Sequence, residues 1–281
     1  MMHGALTIAR LTWIDARRTR IALAAFIGGL VFLAVYGTAV FFMQHSVIAP
    51  RQAHLPPLVR QATVQVLTLV GLYVANFLTL ATAVMLPVDS ISGEIDSGVM
   101  QTVASKPVDR AGIVIGKWLA YLAMIAVYLL LVAGGVVLLV WGMTGFLQPN
   151  LIGALPLMLL SAVVMVTLSI AGGTRFTTVT NGIAVFAFYA IAFIGGWIEQ
   201  IGVRLGSSAA RYIGTVISLI SPSDALWRRA AHELQPPLLE QLNISPFSAV
   251  DVPSVAMVAW GVGFVIVTLL AALRTFQKRA L

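Results

Sequence analysis

Six long apolar stretches divide the chain, and polar or charged residues separate each from the next. They cover residues 21–43, 64–86, 113–141, 151–171, about 177–198 and 255–273. A helix needs about 20 apolar residues to cross a hydrocarbon core of about 30 Å, so each stretch can form one transmembrane span. The pattern predicts an all-α integral membrane protein with six spans, forming a single domain over residues 1–281. The third stretch exceeds what a bilayer requires, and we expect it to tilt or to extend into the cytosol.

The segments outside these stretches also carry helical patterns. Residues 1–20 mix apolar side chains with arginines, which favours an interfacial helix at the membrane surface; a basic extension of the first span is the alternative. Residues 199–254 form the largest extramembrane loop, in which 212–220 are too few to span and favour a re-entrant or interfacial helix. The run from Ser221 to Asp224 supplies a Ser N-cap, a proline at the first helical position and an acid at the third. It predicts a short helix that continues through an amphipathic run at 225–234.

Composition and charge agree with a membrane protein and set its orientation. The chain is 59% hydrophobic and 10% charged, which excludes a water-soluble fold. Its net charge of +7 comes from residues that flank the apolar stretches, without the basic run and interleaved aromatics of a nucleic-acid surface. Eleven Lys and Arg residues lie on the side of the two termini and six on the other. The positive-inside rule therefore predicts a multi-pass protein of the inner or plasma membrane with both termini cytoplasmic.

The predicted spans contain little reactive chemistry. The chain has no cysteine, and no charged residue falls in the middle of a predicted span. This argues against a proton-coupled transporter and an intramembrane hydrolase, which need titratable groups at depth. Neutral polar residues occur instead, and such residues more often bridge helices than bind substrate. They are Asn76, Thr79 and Thr82, the candidate substrate pathway, in the second span, and Ser161, Thr167 and Ser169 in the fourth.

We therefore predict that the chain is not an enzyme and holds no metal or cofactor. The run from Gly112 to Lys117 has too few residues between its glycines for a phosphate-binding loop and lacks the following hydroxyl residue. The energy for any transport must then come from another protein chain.

Most of the acidic residues on the side of the two termini lie in the loop between the second and third spans, residues 87–112. Glu94 and Asp96 lie near the start of a predicted short helix that extends from Glu94 to Ser105, where acids complement the helix dipole. The apolar edge of this helix consists of Ile95, Val99, Met100 and Val103. Pro107 ends the helix, and Arg110 leads into the third span. An ordinary solvated loop is the alternative interpretation.

The order of residues in this loop resembles the permease subunits of ABC-2-type transporters. The residues that match the pattern are Glu94, Asp96, Gly98, Pro107, Arg110, Gly116 and Lys117. Two positions depart from it, since Asp96 replaces a second glutamate and Val99 stands where threonine is common. The surface helix, the six spans and the outer helices fit the same family, and the segment from Ser221 to Asp224 further resembles its NosY-like branch.

The resemblance implies a permease that works as a dimer of two identical copies, with a separate ABC ATPase that holds ATP and Mg²⁺. The 94–105 helix would couple the ATPase to the spans, with Glu94 and Arg110 as orienting residues, paired with each other or with the ATPase. The alternative is that both only cap helix ends. The residues that the resemblance assigns to coupling are Glu94, Ile95, Asp96, Gly98, Val99, Pro107, Arg110 and Lys117.

Three functional hypotheses follow. The first is a permease that exports or extracts an amphiphilic or apolar substrate from the lipid bilayer, because the spans offer no charged site for a polar one. The second is a six-span scaffold or assembly protein without transport, which the absence of a neighbouring ATPase gene would favour. The third is a membrane enzyme that uses Asp224, His232 and Glu233, three residues that we expect to lie only on a helix surface.

Overall fold

The computed structural model describes residues 2–48, 57–100, 109–235 and 252–279, and within these ranges every regular element is helical. Six of the helices are long and apolar enough to cross a membrane, which confirms the predicted spans. Spans 1 to 6 are Arg20–Phe42, Pro57–Met85, Arg110–Thr144, Leu151–Gly173, Thr178–Arg204 and Val255–Lys278. A π-helical segment, Met43–Ile48, continues span 1. Spans 2, 3 and 5 run beyond their apolar stretches because helical geometry continues into polar sequence.

Four shorter helices complete the described chain. They are the N-terminal helix Met2–Ala16, the loop helix Ser92–Asp96, far-side helix 1 Ser208–Ile220 and far-side helix 2 Pro222–Glu233. The alternation of six spans places both termini at one end of the bundle, here called the terminal side, together with the N-terminal and loop helices. The two far-side helices lie at the opposite end, the far side.

Span 4 lies at the centre of the bundle. It packs against spans 2, 3, 5 and 6 and against far-side helix 2. Spans 1 and 6 lie at the periphery, since only 17% of the most apolar window of each is buried inside the chain. Their exposed apolar faces suit contact with lipid. Span 3 has 35 residues, about 52 Å of helix at 1.5 Å per residue, so it extends beyond a hydrocarbon core of about 30 Å.

The N-terminal helix is a separate element that packs along the start of span 3. Gly116 permits this contact, because a Cβ atom there would lie 2.5 Å from the carbonyl oxygen of Ala5. The helix ends at Ala16, and the Thr19 hydroxyl accepts a hydrogen bond from the Ala22 N–H, which caps span 1. A helix is thus present where the sequence predicts one, and it is separate from span 1; its location at the membrane surface stays a prediction.

The far-side helices also follow the sequence signals. Far-side helix 1 exposes Tyr212, Ile213 and Val216 and buries Gly214 and Ser218, as expected for an amphipathic helix too short to span. Far-side helix 2 begins at Pro222 after Ser221, as predicted. The Ser221 hydroxyl does not cap the helix, since it lies 3.3 Å from the Ser223 hydroxyl instead.

Candidate functional site

The loop after span 2 packs tightly against the spans on the terminal side. Ile91 and Met100 are fully buried in the main apolar core, and Ser92 is 2% exposed. Ile95 packs against the same core, whereas Val99 is 49% exposed. The described part of the loop is therefore a docked element and not the ordinary solvated loop of the alternative interpretation.

The loop helix is shorter than the sequence predicts. It ends at Asp96, Gly98 has a φ of +75°, and helical geometry resumes at Val99. The prediction of one continuous helix from Glu94 is wrong, because a left-handed glycine interrupts it. Met100 then turns inward and Val99 outward, so the predicted apolar edge is divided between the core and the surface. Pro107 lies outside the described residues, as do Val103 and Ser105.

Lys117 holds the loop to span 3. Its ammonium group donates to the Ser90 carbonyl oxygen at 2.6 Å and to Glu94 Oε1 at 2.5 Å, and the residue is 5% exposed. Glu94 was expected to pair with Arg110 or with an ATPase; within the described chain its partner is Lys117. A charged amine is buried here because a carboxylate and a carbonyl oxygen replace its hydration.

Arg110 makes a different connection. Its guanidinium donates to the carbonyl oxygens of Gln277 and Arg279 at 3.2 and 2.9 Å. Arg279 in turn donates to the Thr174 carbonyl oxygen at 2.7 Å. The start of span 3 is thereby tied to the end of span 6 and to the turn between spans 4 and 5. The expected contact of Arg110 with Glu94 is absent from the described part of the chain.

Buried polar groups of span 5 bind the loop and connect it to span 4. Asn181 is fully buried and donates from Nδ2 to the carbonyl oxygens of Val88 and Ser169 at 3.1 and 2.8 Å. The hydroxyls of Ser92 and Thr178 lie 2.8 Å apart. The loop is thus fastened directly to spans 3 and 5, and through Asn181 also to span 4. Sequence reasoning missed Asn181, although an amide near the start of an apolar span was the available signal.

Gly172 is a sensitive point in this contact. A Cβ atom there would collide with Asn181 Oδ1, so we expect Gly172→Ala to displace the amide and break its two hydrogen bonds. The expected cost is about 1–3 kcal/mol, measured as a lower thermal unfolding midpoint in detergent. Gly134→Ala is the matched control, because nothing lies within 4 Å of a Cβ there and alanine favours helix. Equal midpoints for the two variants would contradict the prediction.

The neutral polar residues inside the spans divide into two groups. Ser161 and Ser169 donate to the Ser223 and Val84 carbonyl oxygens, and Thr167 accepts from the Trp118 indole, so these three bridge helices as predicted. The candidate pathway residues Asn76, Thr79 and Thr82 are buried at 3, 0 and 8% exposure. Thr79 and Thr82 donate to carbonyl oxygens of their own helix. Thr82 also lines a cavity of about 360 Å³ beside span 1, whereas neither Asn76 nor Thr79 is part of its lining.

A buried charged cluster lies on the far side. Arg228 donates to Glu199 Oε2 at 2.8 Å and to Asp224 Oδ2 at 3.0 Å. Its side chain is 4% exposed, and those of Glu199 and Asp224 are 10% and 9%. The hydroxyl of Ser218 accepts from Arg228 at 2.9 Å, and the hydroxyl of Thr215 donates to Glu199 at 3.2 Å. The cluster joins the end of span 5 to both far-side helices.

This cluster corrects two sequence predictions. Asp224 was expected on a helix surface and is buried instead, because Gly196 lets it pack directly against span 5. Glu199 follows the predicted end of span 5 by one residue, but the helix continues to Arg204 and carries Glu199 inside. The spacing of Asp224 and Arg228 by four residues was the available signal. No group of acids and histidines in the described ranges could hold a metal ion.

The cluster predicts an unusual pH dependence of stability. Burial raises the pKa of Asp224 from 3.8 to about 6, with the Arg228 charge opposing the rise and Glu199 adding to it. Because the native state then binds this proton more tightly than the unfolded state, the resulting stabilisation is complete below pH 3.8 and is lost as the pH rises through about 6. We expect the unfolding midpoint of the wild type to rise relative to that of Asp224→Asn as the pH falls from about 7 to about 4.5. Parallel pH profiles for the two proteins would refute this.

Comparison with known proteins identifies a family for this chain. A family model described as ABC-2 family transporter protein matches residues 6–281 and therefore covers the docked loop and the far-side cluster together. No curated protein sequence matches the chain.

Proposed function

Because the chain belongs to the ABC-2 family of transporter proteins, we propose that it is the membrane permease subunit of an ATP-driven exporter with a separate ATPase. The fastening of the loop to spans 3 and 5, and through Asn181 to span 4, carries this proposal. A motor that moved this loop would move three spans at once. Such a rigid connection is what transmission of force from an external subunit requires.

The face that the loop leaves exposed suits a partner's groove. Asp96, Ser97 and Val99 are exposed next to the Gly98 turn, so a charge and an apolar side chain project together. Glu94, Ile95 and Lys117 are engaged within the chain. In this proposal Asp96 and Val99 contact the ATPase, whereas Glu94, Arg110 and Lys117 position the loop. ATP and Mg²⁺ are held by the ATPase.

The excess of Lys and Arg on the terminal side supports a cytoplasmic location for the loop and both termini, where an ATPase would be. The apolar character of the spans and the absence of a buried charge from the described middle of any span support an amphiphilic or apolar substrate. The family resemblance of the loop supports a dimer of two permease copies. A six-span scaffold without an ATPase is the competing outcome of the test below.

The test is co-purification with the ATPase encoded beside this chain. Val99→Arg should reduce the retained ATPase about tenfold, because it places a solvated cation where an apolar contact is proposed. Proline at this position is a weaker test, since helical geometry resumes at Val99 and proline is tolerated in a first turn. Leu205→Arg is the matched control, because Leu205 is 77% exposed and lies on the far side.

Wild-type and Leu205→Arg proteins should retain the ATPase equally. Full retention by Val99→Arg would refute docking at this surface, and failure of the wild type to bind any ATPase would favour the scaffold.

A further inference from the structure

A groove opens between spans 5 and 6 on the terminal side, with span 4 as its floor. Its volume is about 380 Å³, within the range of ligand pockets. At its inner end Phe188 of span 5 stacks on Phe264 of span 6, with ring centroids 6.4 Å apart. From Phe188 back to Asn181 the groove follows seven residues of helix, about 10 Å.

The lining changes character along this length. Thr174, Arg175, Asn181 and Thr275 lie at the mouth, whereas Val185 and Val267 lie deeper. No acidic residue lines the groove. The groove thus has a mouth with a cation and hydroxyl groups and an apolar interior. These features match a molecule with an anionic head and a hydrocarbon tail.

Arg175 is the residue that gives the mouth its charge. It is exposed, donates to the Thr275 hydroxyl at 3.3 Å, and forms no ion pair with the chain over its described ranges. It occupies the turn between spans 4 and 5, at the level where the helices leave the apolar region. A phosphate group of the adjoining leaflet lies at this level in a bilayer.

A buried polar group lies beneath the mouth. Asn181 of span 5 is fully buried, and its Oδ1 has no hydrogen-bond partner among the described residues. This oxygen occupies the space that a Cβ of Gly172 would fill, so the absent side chain at Gly172 leaves polar surface beneath the mouth. The polar surface of the mouth therefore extends from the exposed guanidinium of Arg175 to the buried amide of Asn181. The same amide also holds the loop.

We propose that this groove binds one anionic phospholipid of the terminal-side leaflet. Its phosphate lies against the Arg175 guanidinium and the Thr275 hydroxyl, and one acyl chain follows the groove toward Phe188. The site is independent of the proposed transport function, since it requires only that the six spans lie in a bilayer.

The test uses nanodiscs that contain a phosphatidylglycerol probe with a photoreactive group near the end of one acyl chain, or the matching phosphatidylcholine probe. Mass spectrometry locates the cross-links. Peptides of spans 4, 5 and 6 that line the groove should be labelled about tenfold more by the anionic probe, as one charge-assisted contact predicts. Equal labelling by the two probes, or labelling spread evenly over all lipid-facing helices, would overturn the proposal.

Three variants sharpen the test. Arg175→Gln removes the charge and should bring the labelling ratio of the two probes to about one. Ala271→Trp fills the groove and should reduce labelling by both probes, whereas Val262→Trp, on span 6 outside the groove, should leave it unchanged. Arg175 is exposed, so its variant is expected to fold even if Ala271→Trp does not. Retention of the anionic preference in Arg175→Gln would refute the site.

Discussion

Replacement of Arg228 by leucine is expected to destabilise the protein by about 3–5 kcal/mol, because it leaves two buried carboxylates without their cation. Glu199 and Asp224 contact Arg228 at 2.8 and 3.0 Å and have little access to water. At the usual unfolding entropies the loss corresponds to a fall of about 10 °C in the unfolding midpoint. The measurement is a thermal scan of the purified protein in detergent.

Two controls separate the charged cluster from a general effect of losing an arginine. Arg229 is the next residue on the same helix. Its side chain is 21% exposed, meets Glu233 at 3.9 Å and donates to the Pro253 carbonyl oxygen at 2.7 Å, so Arg229→Leu should cost about 1 kcal/mol. The triple variant Glu199→Gln, Asp224→Asn, Arg228→Met removes all three charges and should recover most of the lost stability. Equal losses of stability for Arg228→Leu and Arg229→Leu would show that the buried cluster stabilises the protein no more than a partly exposed arginine does.

The six spans could be predicted from the sequence, because a transmembrane helix needs a minimum number of consecutive apolar residues and such stretches are visible in the chain. The far-side helix that starts at Pro222 was predictable for a similar reason, since its start signals are local. Both features depend on residues close together in sequence. Their ends shifted by a few residues because polar residues can continue a helix outside the apolar region.

The partners of the charged side chains could not be predicted from local sequence. Glu94 meets Lys117 across 23 positions, and Glu199 meets Arg228 across 29, so no local pattern identifies either pair. Glu94 and Lys117 were assigned to coupling by the family resemblance, and the partner expected for Glu94 was either Arg110 or the ATPase. Gly98 had a clear local signal, because glycine inside a predicted helix often marks its end, and the continuous helix from Glu94 should have been doubted there.

The docked loop and the charged cluster lie at opposite ends of span 5. Asn181 near its start holds the loop, and Glu199 near its end holds far-side helix 2 through Arg228. Span 5 therefore joins the proposed motor contact to the charged cluster and supplies one residue to each. A displacement of the loop would reach the far side through a rigid element of 27 residues.

Lys117→Met should weaken transmission into this path without releasing the ATPase, because Lys117 holds Ser90, two residues from the Val88 carbonyl group that Asn181 binds. The substitution leaves the Ser90 carbonyl oxygen and Glu94 without their donor, so the loop keeps its exposed face but loses its attachment to span 3. Because the chain has no native cysteine, Leu205→Cys can report far-side motion through its rate of reaction with a maleimide. In the complex with the ATPase, we expect addition of ATP to change this rate about tenfold with Lys117 present and less than about twofold with Lys117→Met.

Glu94→Gln is the matched variant, because the amide oxygen can still accept from Lys117 and the bond to Ser90 remains. It should keep most of the ATP-dependent change, whereas Glu94→Lys, which sets two cations against each other, should abolish it. Retention of the ATPase by all three variants would place their defect in transmission and not in docking. An unchanged ATP response in Lys117→Met would show that the contact of Asn181 with Val88 transmits the motion without Lys117, and Asn181 would be the next contact to remove.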